Sequence, residues 1–446
     1  MMSYKNPFST MKNTVLKHLI FLSFLVLSIS GSSQEVLTLA NAIQIAMEEN
    51  YGIKVVQLQQ EAAEMEVYKS NAGFGPVIDW NANLNFTGNN VNQVFIDERT
   101  VSRYARAYNP NTDFSIDLPL YDGGRMQATY ERLGHLSQLS RLEGNVVIQT
   151  TIINIMATYY EINRQKETVS FLETIIKSYE ERLNITEQRW TYGKGSKLDY
   201  LQSKTDLNAQ LSALVTAKNN LRNAKITLNG MLNRDPNLDF ETEKIDALPR
   251  EYVLEEMVEK AKTSNREILL LQKSMDIRLI QEREAEALLK PQVGLGGRLG
   301  FNYSESTSGF LKTNRSIFAT VGVSATWNLY DGKHNKTQIE IAKVNTEIIA
   351  LQQEELMTQI INDLSFAYNQ YLSDKELLTF EILNKEIAEE NLNISLEKFR
   401  LGGSTILELN EAQRAYDIAL SRLVEAQFSI RLSELELLRL SGVVVE

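Results

Sequence analysis

Four stretches of the chain alternate apolar and polar residues with a period of two, the mark of strands with one greasy and one wet face. In the first, Trp80, Ala82, Leu84 and Phe86 face one way and Asn81, Asn83, Asn85 and Thr87 the other. In the second, Phe114, Ile116, Leu118 and Leu120 oppose Asp113, Ser115, Asp117 and Pro119. In the third, Val293, Leu295, Leu299, Phe301 and Tyr303 oppose Gln292, Arg298 and Asn302. The last runs from Ile317 through Ala319, Val321, Val323, Ala325 and Trp327 to Leu329, against Ser316, Thr320, Ser324, Thr326 and Asn328. Each stretch is roughly 8–14 residues, which brackets the ~9–11 of a tilted membrane strand. They form two hairpins, over 79–121 and 292–330, whose polar links 88–112 and 304–315 read as loops. Tyr104-Ala-Arg-Ala-Tyr108 in the first link reads as part of a solvated loop.

Between these stretches the period changes to that of helices. Residues 125–192 and 333–401 contain no proline, and at ~1.5 Å per residue each would span about 100 Å. A glycine break then starts a second helix, at 196–232 and 405–441. Its seam in the later copy is Leu409, Ala412, Tyr416, Ala419, Leu423, Ala426, Ile430, Ser433, Leu437 and Leu440. The steps are three and four throughout, as in coiled coils. A further helix precedes each hairpin, over 39–72 and 253–289. Two shorter helices end to end match the long one beside which they would run antiparallel.

The elements occur in the same order twice. Leu118-Pro-Leu-Tyr-Asp-Gly-Gly-Arg125 is echoed by Trp327-Asn-Leu-Tyr-Asp-Gly-Lys333. Asn50 answers Asn265 at an offset of 215, and past the signature Tyr159 answers Tyr368 and Gly193 answers Gly402 at 209. This predicts an internal duplication, with repeats over 34–240 and 241–446. Tyr121, Asp122 and Gly123, and again Tyr330, Asp331 and Gly332, mark the joints between strands and helices.

The N-terminus has Lys12, Lys17 and His18, then the apolar run Leu19 to Ile29, then small residues. This predicts a secretory signal peptide over 1–33, with the start at Met1 or Met11 left open. Its loss removes Lys5, Lys12 and Lys17 and takes the formal charge from −11 to −14, a poor balance for binding nucleic acid. Cysteine is absent, which excludes disulfides, thiol catalysis, thiolate metal sites and a lipid anchor on cysteine. Only His135 and His334 follow the leader, without metal-pair spacing or a nucleophile motif, and nothing calls for a cofactor or metal. Gly193-Lys-Gly-Ser196 lacks the upstream glycine of a phosphate loop.

Four strands are too few to enclose a lumen, and an open edge in lipid is costly, so a membrane sheet of this kind must be shared between copies. Trp80, Tyr121, Trp327 and Tyr330 lie at one end of the strands, as an interface girdle would. With Gln188-Arg-Trp-Thr-Tyr-Gly-Lys-Gly-Ser-Lys-Leu-Asp-Tyr-Leu-Gln202 and Glu397-Lys-Phe-Arg-Leu-Gly-Gly-Ser-Thr-Ile-Leu-Glu-Leu-Asn-Glu-Ala-Gln413, the chain resembles the TolC family of outer-membrane channels along its mature length. The resemblance implies a membrane α+β fold. Four strands per chain enter a homotrimeric twelve-stranded barrel, continued into the periplasm by an antiparallel coiled-coil helical barrel. It implies a passive exit duct in outer-membrane lipid for a tripartite efflux pump or type I secretion system. It also implies docking to a periplasmic adaptor and an inner-membrane pump.

The family's tip motif maps onto Trp190, Gly193, Ser196 and Asp199, and onto Phe399, Gly402, Thr405 and Glu408, with Gly195 and Gly403 in the turns. The resemblance makes these tips the adaptor-docking end, although any helix hairpin needs similar glycines. It also implies a periplasmic gate at Glu408 and Glu411, with Asp199 contributing; a solvated helix start would hold acids there too. Ser404 replaces an arginine of the family's closing network. The rival reading is an exported coiled-coil structural or adhesion protein with no channel, and a periplasmic hydrolase is disfavoured by the missing catalytic constellations.

Overall fold

The computed structural model describes residues 35–245, 249–307 and 311–443; the expected signal peptide, 1–33, lies outside them. The elements are β1 (Glu35–Leu37), α1 (Leu39–Glu49), α2 (Tyr51–Met65), a 3-10 turn (Lys69–Ala72), β2 (Val77–Val94), β3 (Thr100–Tyr121), α3 (Arg125–Thr191) and α4 (Lys197–Met231). Then follow β4 (Phe240–Thr242), α5 (Leu254–Ser264), α6 (Arg266–Ala287), β5 (Gln292–Ser306), β6 (Thr313–Thr326), α7 (His334–Leu401) and α8 (Ile406–Ser441). No helix among the described residues is long and apolar enough to cross a membrane.

The chain divides into two compact units. The first comprises the described residues within Met1–Asn50, Asn154–Leu248 and Leu378–Phe428. In it β1 pairs in parallel with β4, and beside this ribbon Leu37, Ala46, Ile155, Tyr159, Ile162, Leu228 and Phe240 form a buried cluster. The Tyr159 hydroxyl donates to the Leu37 carbonyl at 2.8 Å, so the ring fills the core while its polar end is satisfied. A second cluster joins α3, α4, α7 and α8 through Ile175, Tyr179, Leu207, Leu392, Leu396, Phe399, Leu409 and Tyr416.

The second unit comprises the described residues within Tyr51–Ile153, Pro249–Leu377 and Ser429–Glu446. Its sheet is antiparallel, in the order β2-β3-β5-β6. The register places Trp80 opposite Phe114, Leu299 opposite both Phe114 and Ala319, and Phe301 opposite Ile317, giving one continuous apolar face. The other face carries Asn81 opposite Asp113 and Asn83 opposite Asn111. Against the helices of this unit, Glu284 of α6 accepts from Thr129 at 2.7 Å and from Arg132 at 2.9 Å, both on α3.

Three expectations need correction. The link 88–112 is mostly strand: β2 runs 18 residues and β3 22, paired out to Val94 opposite Thr100, with only 95–99 between them. Likewise β5 reaches Ser306 and β6 starts at Thr313. Backbone ladders do not need alternation, which exists only where the two faces meet different surroundings. Conversely, β6 stops at Thr326 although the alternation runs to Leu329, because its neighbour β5 begins only at Gln292. The helices at 39–72 and 253–289 are each broken, at Asn50 and Asn265, whose backbones are extended. The Asn50 side chain donates to the Met231 carbonyl at the end of α4. The Asn265 side chain donates to the Leu440 carbonyl near the end of α8, also at 2.8 Å. Each asparagine thus satisfies a carbonyl that a helix terminus leaves free.

Candidate functional site: helix tips and strand–helix joints

Both tips fall in the first unit. At the first, α3 ends at Thr191, and Gly193 adopts φ +72°. There Gly193 N donates to Trp190 O at 3.0 Å and Lys194 N to Arg189 O at 2.8 Å. At the second, Gly402 adopts φ +83°, Gly402 N donates to Phe399 O at 3.0 Å and Gly403 N to Lys398 O at 2.8 Å. A left-handed glycine with this pair of bonds closes a helix end and reverses the chain. A Cβ on Gly195 would come within 2.8 Å of the Arg189 Cβ, so that turn also needs its second glycine.

The following helices start on capping side chains. Ser196 Oγ accepts from Leu198 N at 3.1 Å. Thr405 Oγ1 accepts from Glu408 N at 3.3 Å while the Glu408 carboxylate accepts from Thr405 N at 3.2 Å. This is a reciprocal capping box, so Glu408 has a structural task besides any role in a gate. Glu408 and Glu411 are exposed, and Asp199 is half-buried. Among the described residues none of the three takes part in an ion pair, and within one chain no hydrogen bond links them. The charges of Glu408 and Glu411 face the solvent. Ser404 Oγ is buried without a hydrogen-bond partner among the described residues.

The two tip aromatics differ. Trp190 is 39% exposed and stacks on Tyr200 with ring centroids 5.1 Å apart. Phe399 is only 2% exposed. The Arg189 guanidinium lies 4.3 Å over its ring and donates to the Phe399 carbonyl, tying the first tip to the second. Sequence reasoning treated the two as equivalent; the asymmetry comes from Arg189, whose counterpart is Lys398.

A buried polar network near the tips escaped the sequence reading altogether. Arg182 of α3 is 1% exposed, pairs with Asp206 of α4 at 2.5 Å, and donates to Gln413 at 2.7 Å and to Asn410, both of α8. Gln413 in turn donates to Ser178 at 2.8 Å. Beside it the Tyr179 hydroxyl donates to Asp417 at 2.8 Å. Burial pushes the Asp417 carboxyl up to about 6, against the opposing effects of that hydrogen bond and of Arg182. The available signal was spacing. Ile175, Tyr179, Arg182 and Thr186 follow seam steps of four and three, so the arginine stands in an apolar row.

The joints belong to the second unit. Asp122 is buried and accepts from Met126 N through both oxygens, at 3.0 and 2.9 Å, capping α3. Asp331 accepts from Asn335 N at 2.9 Å and caps α7 in the same way. Gly123 has φ +80°, and a Cβ there would sit 2.5 Å from the Ala287 carbonyl oxygen. Gly332 has φ +70°. Tyr121 closes β3 within the sheet, whereas Tyr330 lies past the end of β6 and is exposed.

The outer membrane efflux protein family matches the chain over residues 42–234 and 257–443. Outer membrane protein TolC of Salmonella enteritidis is 21% identical over 303 residues, which span 65% of this chain and 60% of that protein's own length. Among solved structures, the outer membrane protein VceC of Vibrio cholerae superposes with a TM-score of 0.72 at 14% identity, covering 91% of this chain and 96% of that one. The CmeC outer membrane channel of Campylobacter jejuni gives 0.71 at 16% identity, covering 92% and 86%. At these identities the structural likeness speaks for the fold, and the match over both halves of the chain speaks for descent. This chain belongs to the outer membrane efflux protein family, the TolC family.

Proposed function

We propose that this chain is the passive outer-membrane exit duct of a tripartite efflux pump or a type I secretion machine, and that it works as a homotrimer. The observation that carries this reading is the β2-β3-β5-β6 sheet. Its edges, β2 and β6, have no partner strand among the described residues. One face is apolar and the other is a ladder of Asn, Asp, Ser and Thr. Unpaired edge groups cost several kcal/mol each in a bilayer, so β6 of one copy pairs with β2 of the next. With three copies, the number the family resemblance supplies, the four strands of each chain close a twelve-stranded barrel with a polar lumen. The long helices continue this wall into the periplasm as an antiparallel helical barrel.

The repeats 34–240 and 241–446 are the product of a duplication, a reading supported by hydrogen bonds that recur at matching positions. Asn50 to Met231 is answered by Asn265 to Leu440. Tyr159 to Leu37 is answered by Tyr368 to Tyr252, and Asp122 to Met126 by Asp331 to Asn335. The tips around Gly193, Gly195, Ser196, Gly402, Gly403 and Thr405, with Trp190 and Phe399, form the end that docks to a periplasmic adaptor. Glu408 and Glu411, with Asp199, ring the periplasmic mouth and favour cations there. An inner-membrane pump supplies the energy.

Purified protein in planar bilayers tests the reading, with discrete conductance steps from a detergent-resistant trimer as the expected result. A freely soluble, non-conducting monomer would favour the exported coiled-coil alternative.

A further inference from the structure

On the apolar face of the β2-β3-β5-β6 sheet, the aliphatic rows end, away from the joint at Tyr121, in a band of different chemistry. The register places Phe86 opposite Tyr108 and Tyr303 opposite Arg315. Further along β3, alternation keeps Arg106 and Tyr104 on this same face. The Tyr108 ring lies 4.9 Å from Phe86 and meets Tyr303 edge-on at 6.1 Å. The Arg315 guanidinium stands 5.4 Å over the Tyr303 ring, and the Arg106 guanidinium 5.7 Å over the Tyr104 ring. Both arginines are exposed. Among the described residues neither pairs with a carboxylate. Glu305, the acid of this band, instead accepts the Tyr303 hydroxyl at 3.1 Å.

Two cations unpaired by acid, each held over a ring, directly past the last apolar row, are not what a solvated loop requires. Tyrosines at the edge of an apolar band sit at headgroup level. An arginine stacked by its face keeps its in-plane N–H groups free, and a phosphate accepts such a fork through two oxygens. We propose that this band is a binding site for phosphate-bearing lipid headgroups in the outer leaflet of the outer membrane. Arg106 and Arg315 each bind a phosphate, and Tyr104, Tyr108 and Tyr303 form the platform at the interface. The inference rests on reading the sheet as part of a membrane wall.

The test uses the full mature protein, reconstituted in phosphatidylcholine nanodiscs containing lipid A, then re-extracted and weighed by native mass spectrometry. The wild-type trimer should retain lipid A. An Arg106→Gln, Arg315→Gln variant should retain roughly 25-fold less, as each arginine near an anionic surface contributes roughly fivefold. Phosphate-free lipid A should be retained equally poorly by both proteins. Conductance in planar bilayers should be the same for both, since the arginines stand on the apolar face. Equal retention by wild type and variant, or of phosphorylated and phosphate-free lipid A, overturns the proposal while leaving a conducting channel intact. A wild type that neither forms trimers nor conducts overturns the channel reading and this inference with it.

Discussion

Asp417 is held at a cost that depends on pH. Its carboxyl is raised to about 6 by burial, above its ordinary value of 3.8. Between those values the folded state binds the extra proton, so stability rises as pH falls from above about 6 towards 4 and is lowest where Asp417 is ionised. Asp417→Asn, which can still accept from the Tyr179 hydroxyl, should raise the melting temperature of the detergent-solubilised protein at pH 7.5, by on the order of 2 °C. At pH 4.5 the difference should shrink to a fraction of that, and it should vanish only below the ordinary value of 3.8; scanning calorimetry across that range checks both halves. Glu408 and Glu411 are the opposite case, exposed and, among the described residues, without ion pairs. The double change Glu408→Gln, Glu411→Gln should lower cation over anion selectivity, read from reversal potentials under a salt gradient. Unchanged potentials would remove these residues from the gate. Glu408 could be named from the chain because a motif surrounds it. Arg182 and Asp417 could not, since a charged residue on a helical pattern reads as surface until three helices are seen to enclose it.

At the scale of elements, the asparagine at each helix break acts as a tie between neighbouring helices. Asn50→Ala should cost about 1–2 kcal/mol, the net loss of one partly buried hydrogen bond with its acceptor left unpaired. Hydrogen exchange should quicken around Met231 and remain unchanged around Leu440, with the reverse for Asn265→Ala. Gly123→Ala combines a left-handed backbone with a carbonyl oxygen 2.5 Å from the new Cβ. It should destabilise the α3 joint by more than about 1 kcal/mol and lower the yield of folded protein. The α8 seam was readable: Leu409, Ala412, Tyr416, Ala419, Ala426, Ile430, Ser433, Leu437 and Leu440 are all buried, and only Leu423 is not fully so. Steps of three and four survive in a sequence because a packed seam tolerates few exceptions. The breaks at Asn50 and Asn265 were hidden because an asparagine inside an apolar period resembles any polar position. Residues 88–94 and 100–112 were misread as loop for a related reason. Where one face carries tyrosine and arginine, as at Tyr104, Arg106 and Tyr108, and not aliphatic residues, the strand has no hydrophobic alternation to see.

For the whole molecule, a closed barrel depends on how the sheet's edges are completed. Within one chain β2 and β6 are separated by β3 and β5. At ~4.8 Å per strand spacing they stand about 14 Å apart, far beyond the ~7 Å Cα limit for a disulfide. A β2–β6 disulfide therefore has to join two chains. The natural sequence has no cysteine, so engineered pairs report without background. The expectation that closure needs other copies comes from the four strands in the sequence and is supported by the two edges without a partner strand among the described residues; the number three rests on family resemblance alone. The most direct measurement is oxidation, in isolated outer membranes, of variants pairing Leu84→Cys in β2 with Ala319→Cys, Val321→Cys or Val323→Cys in β6, followed by denaturing electrophoresis. A closed shared barrel predicts that at least one register yields covalent dimers and trimers with nothing larger. Monomers at every register, or an open ladder continuing past the trimer, would contradict it.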